Sequence, residues 1–126
     1  MTSLQLLPID PDVVQETLLG EALEHAPIAA IVLDESGRHL AANRMACRLT
    51  GYPREELLAR GAAGLAADPD VVPARLKAMA NGHLQQGITQ MRHEDGTLVP
   101  VDYRVGATRS GGLPYFVLVF WPSESA

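Results

Sequence analysis

The chain has 126 residues, of which 47% are hydrophobic, and a formal net charge of −5 at neutral pH. That length suits one domain with a single core. Because its ten Lys and Arg residues are scattered singly, there is no basic stripe that would suit a nucleic-acid backbone. No apolar run approaches the roughly 18 residues that cross a bilayer, and no secretion signal opens the chain. These features predict a cytoplasmic protein that binds neither nucleic acid nor membrane.

The sequence contains few of the motifs that form metal sites or catalytic sites. Cys47 is the single cysteine, so an internal disulfide is excluded, and no second Cys or nearby His gives the spacing of a metal site. The chain contains no Gly-rich phosphate loop and no Ser nucleophile motif. We therefore predict no metal site and no enzymatic activity.

An amphipathic helix is predicted near the N-terminus. Residues 10–12 (Asp-Pro-Asp) provide a cap, a first-turn Pro and an early acid. Val14, Leu18 and Ala22 then fall four residues apart and predict one apolar stripe, up to about His25. We interpret residues 1–21 as an N-terminal extension with this helix, 22–122 as the domain and 123–126 as a tail.

The next segment predicts a hairpin that runs directly into a helix. Residues 28–33 are short and rich in β-branched side chains, and residues 34–37 form an acidic turn that ends in Gly. Residues 39–43 return as a second strand. Within residues 44–50 apolar side chains recur at helical spacing, and Gly51 is expected to end this helix in a left-handed conformation.

Short helices are predicted to follow. Pro53 begins one of them, whereas residues 61–67 are small and predict a turn of helix at most. Asp68 predicts a cap, and a longer helix is expected to carry Pro73 in its first turn, or to start at Pro73, and to end at residues 81–82.

The rest of the chain predicts three strands joined by hairpins, at residues 84–93, 98–107 and 115–121. The Asp95-Gly96 pair is a strong hairpin signal. The last strand is apolar on both faces, so its second face needs a cover. The element order indicates an α+β fold with an antiparallel sheet.

This arrangement resembles the PAS family of sensory domains over about residues 22–121. The resemblance lies in the order and spacing of five short features: Asp34 with Gly37, Asn43, Gly51 with Tyr52, residues 55–57, and Asp95 with Gly96. It implies a five-stranded sheet of order 2-1-5-4-3 with short helices around a small cavity on one face. For Asn43 we expect a structural role, because its amide can lock the strand to the following helix.

In many members of that family the cavity holds haem, a flavin or a small metabolite. Flavin photosensors bond the cofactor through a cysteine, but residues 60–66 contain none. Haem sensors ligate iron from the long helix, but residues 69–82 contain no histidine. We therefore predict neither cofactor.

The remaining haem alternative is His83, with Met79 or Met91 as a soft second ligand. His25, His39 and His93 flank turns or a proline, where exposed histidines are common. We expect these three to be solvent-facing and assign none of them a ligand role.

The first functional hypothesis is a sensory module that binds a small apolar ligand in the cavity, since such cavities are mostly apolar with a few polar anchors. The candidates to line it are Asn43, Met45, Leu49, Leu57, Leu65, Val72, Leu76, Met79, Thr89, Met91 and Tyr103. The alternative is that these residues fill one another's space in a dry core. The resemblance implies an effector partner, such as a histidine kinase or a transcription regulator.

The second hypothesis is a dimerisation module without a ligand. Val14, Leu18 and Ala22 would cover the outer face of the last strand, on the chain's own sheet or on a partner's. That outer face carries either Val117, Val119 and Trp121 or Phe116, Leu118 and Phe120. Either way a homodimer is expected.

Overall fold

The computed structural model describes residues 11–81, 85–110 and 112–124, and every structural statement below refers to them. The predictions at Asp10, residues 82–84 and His83 lie outside the described residues. In chain order the elements are α1 (Pro11–Glu24), β1 (Ala29–Asp34), β2 (His39–Ala42), α2 (Arg44–Thr50), α3 (Arg54–Leu65), a 3₁₀ turn (Pro69–Val71), α4 (Val72–Ala80), β3 (Gln85–Arg92), β4 (Leu98–Ser110) and β5 (Leu113–Pro122).

The five strands form one antiparallel sheet in the order β2-β1-β5-β4-β3, which confirms the predicted topology. Strand alternation divides β5 between two faces. Phe116 and Phe120 are buried and point toward the helices, whereas Val117 and Val119 are half-buried on the outer face. The single core therefore lies between the inner face of the sheet and the helical layer.

Asn43 joins the first hairpin to α2 and to the end of α1. Its Oδ1 accepts hydrogen bonds from the backbone N–H of Ala30 (2.9 Å) and of Ala46 (3.0 Å). Its Nδ2 donates to the carbonyl oxygens of Leu23 (2.6 Å) and Ile28 (2.8 Å). All four hydrogen-bonding positions of a buried amide are thus used, and the expected structural role of Asn43 is confirmed.

The helical layer changes character at Gly61. At φ 66° and ψ −176° this residue breaks α3 into a first helix and a single further turn, as the small residues at 61–67 predict. The predicted cap at Asp68 is confirmed, but it caps a 3₁₀ turn, and the longer helix, α4, begins at Val72. Pro73, which lacks an N–H, lies in the first turn of α4, where that donor would have no partner in the helix. We call residues 61–80 the roof.

Helix α1 does not cover the sheet of its own chain. The side chains of Leu18 and Leu19 are 60% and 63% exposed. Near the end of the helix, the Leu23 carbonyl accepts from Asn43 and Glu24 forms a 2.7 Å ion pair with Arg54. Within the described part of the chain, no helix is both long enough and apolar enough to cross a membrane.

Candidate functional site

A cavity of about 370 Å³ lies between the inner face of the sheet and the roof. Its volume is at the lower end of the range for small-molecule sites. Most of its wall is apolar, with a few polar side chains. The lining residues are Leu33, His39, Ala62, Leu65, Ala66, Ala67, Asp68, Val71, Val72, Arg75, Leu76, Met79, Thr89, Gln90, Met91, Tyr103, Val105 and Leu118.

The structure brings seven of the eleven pocket candidates together around this cavity. They are Leu65, Val72, Leu76, Met79, Thr89, Met91 and Tyr103. The other four candidates, Asn43, Met45, Leu49 and Leu57, do not line it. They lie on or beside α2 and the first half of α3, which pack directly onto β1 and β2.

His39 is the cavity residue whose environment was predicted wrongly. We expected an exposed side chain beside a turn, but His39 is only 5% exposed and its Nδ1 lies 2.9 Å from the carbonyl oxygen of Leu57. A register shift between Val32 and Leu33 places His39 opposite Leu33, on the inner face. Burial lowers the pKa of this imidazole, since the charged form loses its hydration, and the contact with Leu57 opposes the shift only in part.

The burial of His39 could not be predicted from its residue type or from its neighbours in the sequence. An irregularity in the pairing of β1 and β2 changes which side chains point inward, because strand alternation has a period of two. The other two histidines expected to be exposed differ from each other. His25 is exposed, whereas His93 is partly covered and its Nδ1 accepts a hydrogen bond from the Asp95 backbone N–H at 3.1 Å.

The charged side chains that line the cavity lie at its far side from His39. The Arg75 guanidinium lies 6.0 Å from the centre of the Tyr103 ring, within the range of a cation–π contact. The Asp68 carboxylate is exposed and accepts from the Asp70 N–H at 3.1 Å, which caps the 3₁₀ turn. The cavity lining therefore includes one positively charged side chain, Arg75, and one negatively charged side chain, Asp68.

The lining residues do not fit flavin-adduct chemistry. They include no thiol, and Cys47 lies on α2, where it packs against the core rather than the cavity. In the part of the chain that the structure describes, no group of three His, Cys, Asp or Glu side chains could hold a metal ion. The small volume suits a compact organic ligand better than a macrocycle.

The outer face of the sheet is a second candidate surface. Val117, Val119 and Trp121 are half-buried there, whereas Phe116 and Phe120 point inward and Leu118 lines the cavity. The structure therefore selects the first of the two predicted sets. Ala22 and Leu18 on α1 are exposed, and the side chain of Val14 lies outside the described set.

The fold and the cavity define an α+β domain whose antiparallel sheet and short helices enclose a ligand-sized space on one face. A family model described as "PAS fold" matches residues 17–121. The chain belongs to the PAS family. A search of curated proteins gives no match.

Solved structures show the same fold. The PAS domain of an HTR-like protein from Haloarcula marismortui has a TM-score of 0.78 at 21% identity, and the match covers 89% of this chain and 96% of that one. A domain of a sensory box sensor histidine kinase/response regulator from Geobacter sulfurreducens has a TM-score of 0.79 at 20% identity, with 88% and 96% covered. An RNA-binding light-oxygen-voltage receptor has a TM-score of 0.76 at 24% identity, with 90% and 35% covered.

Proposed function

We propose that this chain is a cytoplasmic sensory module that binds a small molecule in the cavity and passes the change to a signalling partner. The observation that carries the proposal is the apolar cavity beneath the roof, which a buried histidine lines. The alternative, a dry core, would leave no such space between the roof and the sheet. Side chains of both layers pack together in the core, and about 370 Å³ remains open beside them.

We propose that the roof changes its arrangement when a ligand occupies the cavity. Its chain path turns at Gly61, and its lining at Ala62, Ala66 and Ala67 consists of small side chains that bury little area. A ligand in the cavity would add apolar contacts that the roof lacks without it. By population shift, a ligand that binds one arrangement of the roof better than another favours that arrangement.

The comparison with sensor proteins supports a partner of the signalling class. One similar solved structure is part of a sensor histidine kinase/response regulator, and another comes from a two-component sensor histidine kinase, at 16% identity and a TM-score of 0.77. We propose that this domain likewise regulates a histidine kinase or a transcription regulator. PAS domains are generally sensory rather than catalytic, and we assign this site no reaction.

The test is to identify what the protein purified from its own cells carries. Absorption spectroscopy comes first, because haem and flavin absorb visible light. Mass spectrometry of an extract of the folded protein then detects a colourless ligand. Val105→Phe provides the matched variant, since it fills space in the cavity, and Ile88→Phe places the same ring on the exposed outer face.

We expect a bound compound in the wild type and in Ile88→Phe, and its loss in Val105→Phe. If the compound stays in all three proteins, the cavity is not its site. If no compound is found and none binds on addition, the ligand hypothesis fails.

A homodimer is the second function that we propose, and the exposed apolar surface of α1 favours it. Leu18, Leu19 and Leu23 are 60%, 63% and 37% exposed, and Val117, Val119 and Trp121 form an apolar strip on the outer face of the sheet. Burying one large side chain contributes about 1.5 to 3 kcal/mol. We propose that α1 of one chain lies across the outer face of the other.

Light scattering across a concentration series tests this dimer. We expect Leu18→Glu to shift the protein toward monomer. Thr17→Glu is the control, because Thr17 is an exposed polar neighbour on the same helix. A wild type that stays strictly monomeric at high micromolar concentration would rule the dimer out.

A further inference from the structure

The hydrogen bond to Leu57 fixes the tautomer of His39. Nδ1 lies 2.9 Å from the Leu57 carbonyl oxygen, and a carbonyl oxygen only accepts. Nδ1 must therefore carry the proton that is donated. Because burial disfavours the charged ring, His39 is neutral near pH 7 and its Nε2 keeps an unshared electron pair.

Nε2 is the ring nitrogen left over for the cavity that His39 lines. The bond to Leu57 uses the other ring nitrogen, and no hydrogen bond joins Nε2 to any residue that the structure describes. No side-chain nitrogen or oxygen in the described residues is both fully enclosed and without a partner. Since His39 is 5% exposed and lines the cavity, the small accessible area of its ring opens onto that space.

The charged groups are distant from this acceptor. His39 lies on β2, and Tyr103, over which Arg75 stacks, lies on β4. Strands β1 and β5 separate β2 from β4, which at about 4.8 Å per strand places the two strands roughly 14 Å apart. The wall between them is apolar, formed by Leu33, Val105 and Leu118 among others.

We propose, on the basis of the ligand-binding function above, that Nε2 of His39 is the hydrogen-bond acceptor that selects the ligand. The ligand class is a compact, mainly apolar, uncharged molecule with one N–H or O–H donor, and the donor points at β2. A ligand without that donor would displace water from Nε2 and offer no hydrogen bond in its place, and an acceptor buried without a partner is costly. His39 is thus the specificity-determining residue of the cavity.

The experiment uses two probes of nearly the same shape. Indole has an N–H donor and no strong acceptor, and benzofuran has an oxygen in place of that N–H. Binding to the full chain is measured by NMR titration, with the imidazole nitrogens of ¹⁵N-labelled histidine observed directly. We expect indole to bind roughly fivefold more tightly than benzofuran, as one neutral hydrogen bond provides. Indole, and not benzofuran, should shift the Nε2 resonance of His39.

Variants provide a second readout. His39→Phe should abolish the preference for indole while benzofuran still binds, and His25→Phe, at an exposed histidine, should keep the preference. The wild-type NMR arm remains decisive where His39→Phe does not fold.

The outcomes separate the two proposals. Equal binding of both probes, with no change at Nε2, overturns the role of His39 and leaves the ligand cavity standing. Binding of neither probe, with no other compound found in the cavity, overturns both. An indole preference that persists in His39→Phe also overturns the role of His39, because the acceptor then lies elsewhere.

Discussion

The two ends of the helical layer are attached to the sheet in different ways. At the anchored end, formed by α2 and residues 54–60 over β1 and β2, Asn43 accepts a hydrogen bond from each layer and Leu57 is fully buried. At the other end a cavity lies between the roof and the sheet, and the roof contains a kink at Gly61 and a 3₁₀ turn. The anchored end fixes the fold, and the cavity end is where we propose that a ligand acts.

A pair of leucine truncations tests this difference and should have the largest effect. Leu57→Ala should lower the free energy of unfolding by about 4 kcal/mol, because Leu57 is 0% exposed and packed on every side. Leu76→Ala should cost about 2 kcal/mol, since this side chain already faces the cavity and has fewer contacts to lose. Urea denaturation of both variants measures the contrast, and equal losses would mean that the two ends are packed alike.

Asn43→Ala isolates the polar part of the anchored end. The variant leaves two backbone N–H groups and two carbonyl groups without their partner. We expect a loss of about 3 kcal/mol, since an N-cap and buried hydrogen bonds are removed together. The exposed Asn81→Ala should cost under about 0.5 kcal/mol in the same urea assay. A loss below about 1 kcal/mol for Asn43→Ala would show that water replaces its bonds.

Gly51 joins the anchored end to the hairpin between β3 and β4. Its φ is 80°, and a Cβ there would lie 2.6 Å from Cε1 of His93. Gly51→Ala should therefore cost about 2 kcal/mol, from left-handed strain plus the clash. Gly96 has a φ of 90°, and a Cβ added there would meet open space. Gly96→Ala should therefore lower the free energy of unfolding by about 1 kcal/mol, from left-handed strain without a clash.

A double-mutant cycle with His93→Ala separates these two contributions. Removing the ring should reduce the cost of Gly51→Ala to about that of Gly96→Ala. An unchanged cost would place the whole effect in backbone strain.

The smallest expected effect is a dependence of stability on pH that originates at the cavity. Burial holds the pKa of His39 below its ordinary value of 6.5, so the unfolded chain takes up the proton first as the pH falls. The contribution of neutral His39 is complete above pH 6.5 and is lost as the pH falls from there toward the folded pKa. Unfolding free energies at pH 7.5 and 5.5 should therefore be lower at the acid value.

The two carboxylates with shifted pKa act in a different pH range. The hydroxyl of Ser36 lowers the pKa of Asp34 below 3.8, and the hydroxyl of Thr97 does the same for Asp95. Their contributions disappear only as the pH falls below about 4. His39→Phe should flatten the decline between pH 7.5 and 5.5, and His25→Phe should preserve it. An unchanged slope in His39→Phe would assign the dependence to another group.

The sequence by itself determined the local elements, and its resemblance to the PAS family implied the order of the strands in the sheet. Asp34, Asn43 and Gly51 could be interpreted because each acts on backbone within a few residues, through a turn, a cap or a left-handed stop. Seven of the eleven pocket candidates line the cavity. Val72, Leu76 and Met79 are among them because apolar side chains at helical spacing in the roof must face the sheet.

Tertiary structure alone decided where the space lies and which polar group faces it. Met45 and Leu49 have the same chemical character as Met79 and Leu76, but α2 packs directly on β1 whereas α4 lines the cavity. The inward position of His39 depends on a register shift between two strands. A shift of one residue reverses the face of a side chain without changing the local sequence pattern, so only the assembled sheet shows it.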